Sequence, residues 1–139
     1  MSVKQIAVFI ENKTGRLYDV CNLLAQNNIN LAAVTIADSS DFGIFRALTS
    51  DIDKSVEVLK NAGFVTKVNE ILAVDVANKP GALADVLEIL DKQNINVNYM
   101  YSFADENRRA IMLIKVDDIP KTVEILRTNN FNLVEKPLA

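Results

Sequence analysis

Two six-residue stretches carry groups that could hold a small ligand, Asn12-Lys13-Thr14-Gly15-Arg16-Leu17 and Asn78-Lys79-Pro80-Gly81-Ala82-Leu83. Each follows an alternating run of the kind that makes a strand and precedes a run with helical spacing. The amides at such a corner lack an intrahelical acceptor and sit at the positive end of the helix dipole, so a small anionic group suits them. A glycine-assisted turn with no ligand is the plain alternative. What favours binding is that the corner occurs twice in matched surroundings. Asn30 and Asn96 recur with it, each 18 residues beyond the asparagine of its corner, where a second strand is predicted to start. An asparagine amide offers both donors and an acceptor. Two of them, with free backbone N–H groups, can satisfy a carboxylate and an ammonium together, which is the outline of a free amino acid. The alternative is that Asn30 and Asn96 only bond local backbone at the joint from helix to strand.

Other chemistry finds less support. Histidine is absent, which removes the usual general base, the commonest metal ligand and a pH switch near neutrality. Cys21 is the only cysteine. It falls on an apolar helical stripe, and with no histidine to activate it an inert thiol is expected. The carboxylate pairs Asp38/Asp41, Asp51/Asp53, Asp105/Glu106 and Asp117/Asp118 are explained by turns and helix caps, so neither a metal site nor a catalytic dyad is expected. Arg16 has two readings, a charged clamp for a carboxylate or a solvated arginine at a helix start. Tyr99 and Tyr101 share a strand face with Phe103, for packing or for stacking on an effector side chain.

The elements that must position these residues follow from periodicity. Ile6, Val8 and Ile10 alternate within a strand at 4–11, and Leu17, Val20, Cys21 and Leu24 draw one stripe along a helix ending near Asn27-Asn28. Strands are predicted at 29–37 and 42–50 around the turn Asp38-Ser39-Ser40-Asp41. Asp51 then caps a helix lined by Ile52, Val56 and Leu59, Gly63 ends it, and 64–68 is a short last strand. The second half repeats the first at an offset of 66, with Asn12, Gly15, Leu17, Asp19, Val20, Leu24 and Asn30 recurring. Beyond the hairpin the offset is 67, which places an inserted residue between Asp51 and Lys54. Ile71–Val76 is the matching first strand, and a strand over Val97–Phe103 matches the second.

The chain is therefore read as a tandem duplication of the order β-α-β-β-α-β, with units at 1–69 and 70–139. The expected class is α+β. Each unit is a ferredoxin-like antiparallel sheet with both helices on one face, and the two pack together as a pair because units this small have little core of their own.

Those features together resemble a tandem pair of ACT domains, the amino-acid-sensing modules attached to enzymes of amino-acid metabolism. The carrying residues are Asn78-Lys79-Pro80-Gly81-Ala82-Leu83 after Ile71-Leu72-Ala73-Val74-Asp75-Val76, with Gln93-Asn94-Ile95-Asn96-Val97 further on. The resemblance implies that a free L-amino acid binds between two such domains. Asn12, Lys13, Thr14, Gly15, Arg16 and Leu17 would then work with Asn96, and Asn78, Lys79, Pro80, Gly81, Ala82 and Leu83 with Asn30. Thr14 and Arg16 depart from the family pattern, which prefers proline and a small or apolar residue there. Ile10 and Val76 stand where some relatives place a polar ligand-binding side chain, so no particular ligand carries over.

The expectation is an allosteric amino-acid sensor without cofactor, acting through a homo-oligomer, such as a dimer, or a partner enzyme. A purely structural dimerisation module and a small enzyme on the same fold are the alternatives. Phe42-Gly43-Ile44-Phe45 faintly echoes an RNA-binding strand, but Arg109-Ala110-Ile111-Met112 does not repeat it, and a net charge of −3 provides no field for nucleic acid or an anionic membrane. No leader or membrane span is seen after Met-Ser-Val-Lys, so a cytoplasmic address is expected.

Overall fold

The computed structural model describes residues 2–39, 41–104 and 109–137. The chain divides into two compact units, Lys4–Asn69 and Glu70–Pro137, the latter taking in residues 2–3 as well. In the first unit the elements are β1 (Val3–Glu11), α1 (Arg16–Gln26), β2 (Leu31–Asp38), β3 (Phe42–Thr49) and α2 (Ile52–Asn61). The strand β4 (Val65–Val76) follows and carries the division between the units within it. The second unit continues with α3 (Ala82–Lys92), β5 (Tyr99–Ala104), β6 (Ala110–Lys115), α4 (Ile119–Thr128) and β7 (Asn132–Leu133).

Each unit has the expected split arrangement. The first has strand order β2-β3-β1-β4, and the second has β4 between β7 and β6 with β5 outermost. Antiparallel register pairs Val8 with Phe45 and Ile6 with Ala47, so these four side chains share the face that Val20, Leu24 and Leu59 cover from the helices. In the second unit Leu72, Val74 and Val76 lie opposite Ile114, Met112 and Ala110, under Val86, Leu90 and Leu126. Alternation along a strand and a three-to-four spacing along a helix bring these side chains to one layer, which is why one-face patterning sufficed to read the fold.

The helix ends show how local sequence sets each boundary. Asp51 and Asp118 have extended backbones and accept from the amides of Lys54 and Lys121 at 3.0 Å, capping α2 and α4. Asn28, Asn94 and Asn130 take left-handed φ values of 58°, 59° and 63° just past α1, α3 and α4, a conformation asparagine tolerates.

Four expectations are corrected. The strands read as 64–68 and 71–76 are one twelve-residue strand, and no glycine or proline interrupts Thr66–Asp75. The second strand of the first unit starts at Leu31, not at residue 29. Its counterpart starts at Tyr99, not Val97; Asn98 just before it donates its amide to Lys115 O (2.9 Å) and its side chain to Asp117 (3.0 Å). Finally, the offset of 67 already holds at the caps Asp51 and Asp118, so the extra residue lies upstream of Asp51 rather than between Asp51 and Lys54. Ser40 of the first hairpin, and Asp105 and Glu106 of the second, lie outside the described residues.

Candidate functional site

The two corners are built alike. In the first, the Lys13 amide donates to Glu11 O (2.9 Å) and the Arg16 amide to Lys13 O (3.4 Å). In the second, Lys79 donates to Ala77 O (2.9 Å) and Ala82 to Lys79 O (3.3 Å). Gly15 and Gly81 then turn the chain into the helix with φ of 92° and 85°, left-handed values that a side chain resists. No side chain caps α1 or α3, in contrast to α2 and α4. The open helix starts are therefore those at the two corners. Asn12, Asn78, Lys79, Pro80 and Gly81 are all exposed, as are Lys13, Thr14 and Gly15, while Leu83 packs against the core of its own unit. Leu17 remains partly open although it lies on the helical stripe.

Within one unit the corner does not meet the asparagine. Eleven residues of α1 separate the corner from Asn30, a run of about 16 Å at the usual helical rise. The same holds for α3 and Asn96. Asn30 is held by its backbone, its amide donating to Ser50 Oγ (2.9 Å) and its carbonyl accepting from the Ser50 amide (2.9 Å). Neither bond uses the Asn30 side chain. The Asn96 side chain donates to Asn98 Oδ1 (3.2 Å), a contact between neighbours rather than a bond to backbone.

Arg16 is engaged within its own unit and remains about a third exposed. Its guanidinium lies 5.2 Å from the centre of the Phe64 ring and pairs with Asp19 at 3.5 Å, and its Nε is buried without an acceptor. The side chain folds partly onto its own unit. Cys21 is half-buried, and burial pushes its thiol above the ordinary range, as expected of an inert group. Tyr99, Tyr101 and Phe103 pair with Lys115, Leu113 and Ile111 and share the sheet face turned away from the helices, each half-buried. Among the described residues no group of three histidine, cysteine or carboxylate side chains could hold a metal. No helix among them is long and apolar enough to cross a membrane.

Sequence reading missed one feature. Beside the second corner a cavity of about 400 Å³ opens, lined by Asp75, Lys79, Ala82, Asp85, Asn130 and Phe131 among others. Three elements and two joints contribute to it, so no single spacing reveals it. A wider groove of about 600 Å³ along α4, between Ile119 and Thr128, contains none of the candidate residues.

A family model described as ACT domain pair matches residues 1–138. The crystal structure of protein BT0572 from Bacteroides thetaiotaomicron is 40% identical, covers 96% of this chain and 92% of its own, and superposes with a TM-score of 0.90. The regulatory subunit of aspartate kinase from Thermus thermophilus, in its ligand-free form, shares the fold at 13% identity, with a TM-score of 0.66 and coverage of 91% and 92%. The corresponding subunit from Thermus flavus is 16% identical with the same TM-score, covering 89% of this chain and 88% of that one. No curated protein matches the sequence.

Proposed function

The chain belongs to the ACT domain pair family, and on that premise we propose that it is a regulatory module that binds a free L-amino acid. The effector is gripped by the corner of one ACT unit and the second-strand asparagine of the other. Asn12 and Gly15 work with Asn96, and Asn78 and Gly81 with Asn30. The observation that carries this reading is the pair of uncapped helix starts, each shaped by a left-handed glycine, in a chain whose other two helices are capped by aspartate. Backbone N–H groups there suit a carboxylate, and asparagine amides suit the ammonium and the remaining oxygen. The length of α1 and of α3 supports drawing the two halves of each grip from different units.

Binding of this kind favours whichever arrangement of the units offers both halves of the grip, by the difference in affinity between arrangements. That shift is the signal passed to a homo-oligomer or to a partner enzyme of amino-acid metabolism. Catalysis is not part of the proposal, since the family consists of regulatory modules.

A purely structural interaction module is the second reading. It is favoured by the outermost strand β2, whose Val34 and Ile36 are 54% and 50% exposed on an edge without lysine or proline. The thermal midpoint measured against each common amino acid separates the two, because a ligand that binds only the native state must raise it. A rise with one amino acid or a small related set is expected. No rise with any of them leaves the structural module.

A further inference from the structure

The two units treat one position differently. Arg16 and Ala82 both occupy the first helical residue after the corner glycine, at the offset of 66. The groups that receive the Arg16 side chain recur in the second unit. Asp19 corresponds to Asp85, and Phe64 to Phe131; the Phe64 amide donates to Leu59 O and the Phe131 amide to the matching Leu126 O. In the first unit the guanidinium fills this space, over the Phe64 ring and against Asp19. In the second unit the matched position is Ala82, and a cavity of about 400 Å³ lined by Ala82, Asp85 and Phe131 opens beside it.

We propose that this cavity is a socket for a guanidinium group from outside the chain. The first unit shows what the receiving groups hold, a planar cation that stacks on an aromatic ring while a carboxylate takes its N–H groups. The second unit keeps the ring and the carboxylate and lacks the side chain. Asp85 has no ion-pair partner among the described residues, whereas Asp75, on the other wall, is engaged by Arg109 at 3.4 Å. Lys79 stands at the rim and suits a carboxylate carried by the same ligand, which favours free arginine or a related guanidino acid. This site lies inside the second unit; it shares Lys79 and Ala82 with the corner of the grip proposed above but takes nothing from Asn30.

The test is a titration of the full chain followed by backbone amide NMR, with L-arginine, guanidinium chloride and Nα-acetyl-L-argininamide as probes. Saturable shifts are expected at Asp85, Phe131 and Lys79. Tighter binding of L-arginine than of the blocked amide identifies a small-molecule ligand, and equal binding identifies an arginine side chain of another protein. Ala82→Arg fills the socket as Arg16 fills its own and should abolish the shifts. Asp85→Asn should weaken binding about threefold or more. The reciprocal variant Arg16→Ala should open a second site at Asp19 and Phe64, and it keeps the test decisive should Ala82→Arg fail to fold. Absence of saturable shifts, shifts that persist in a folded Ala82→Arg, or no second site in Arg16→Ala would each overturn the proposal. Asn30→Ala probes the grip and Asp85→Asn the socket, so the failure of one leaves the other readable.

Discussion

At the residue scale the corner glycines are the most constrained positions. A Cβ added to Gly15 or Gly81 meets nothing within 4 Å, so the cost of alanine is purely conformational. Gly81→Ala should therefore lower unfolding stability by about 1 kcal/mol, read as a shift in the urea midpoint at unchanged slope. Asp118→Ala removes the cap on Lys121 and should cost about 1 kcal/mol in the same assay. Cys21 supplies a pH test. Its folded thiol is raised by burial, so its contribution to stability is present below the unfolded pKa and is lost as pH rises through the folded one. Alkylation by iodoacetamide near neutral pH should accordingly be slower in the native chain than in urea, and should quicken with alkali.

At the scale of elements, Leu59 and Leu126 occupy matched positions on α2 and α4, both fully buried against their own sheets. Leu59→Ala and Leu126→Ala should each cost about 2–5 kcal/mol by thermal or chemical unfolding, the range for emptying a packed core position. These helices were legible in the sequence because an apolar stripe and an aspartate cap agree. Strand limits were less so. Nothing local signals that Lys67–Leu72 stays extended through a repeat boundary, nor that β5 begins only at Tyr99. Arg16 shows the same limit at a candidate site residue. Its spacing marks a helix start, whereas its engagement with Phe64 depends on the return of the chain some fifty residues later. The cavity in the second unit had one readable trace, an arginine replaced by alanine where the aspartate and phenylalanine around it recur, and that trace acquires meaning only once the three residues are seen to converge.

At the scale of the whole molecule, the proposed amino-acid sensor rests on the duplication. One unit supplies a backbone-lined corner but holds its own asparagine a helix length away, and the proposed grip therefore draws its second half from the other unit. The central claim is that Asn78 and Asn30 contact the same effector. The direct measurement is a double-mutant cycle in calorimetric affinity for the amino acid that raises the thermal midpoint, with Asn78→Ala and Asn30→Ala singly and together, and Asn78→Ala with Asn96→Ala as the control pair. A shared ligand predicts that Asn78 and Asn30 are non-additive by about 0.5 kcal/mol or more while the control pair adds. Additive losses in both pairs, or affinity untouched by either asparagine, would contradict it.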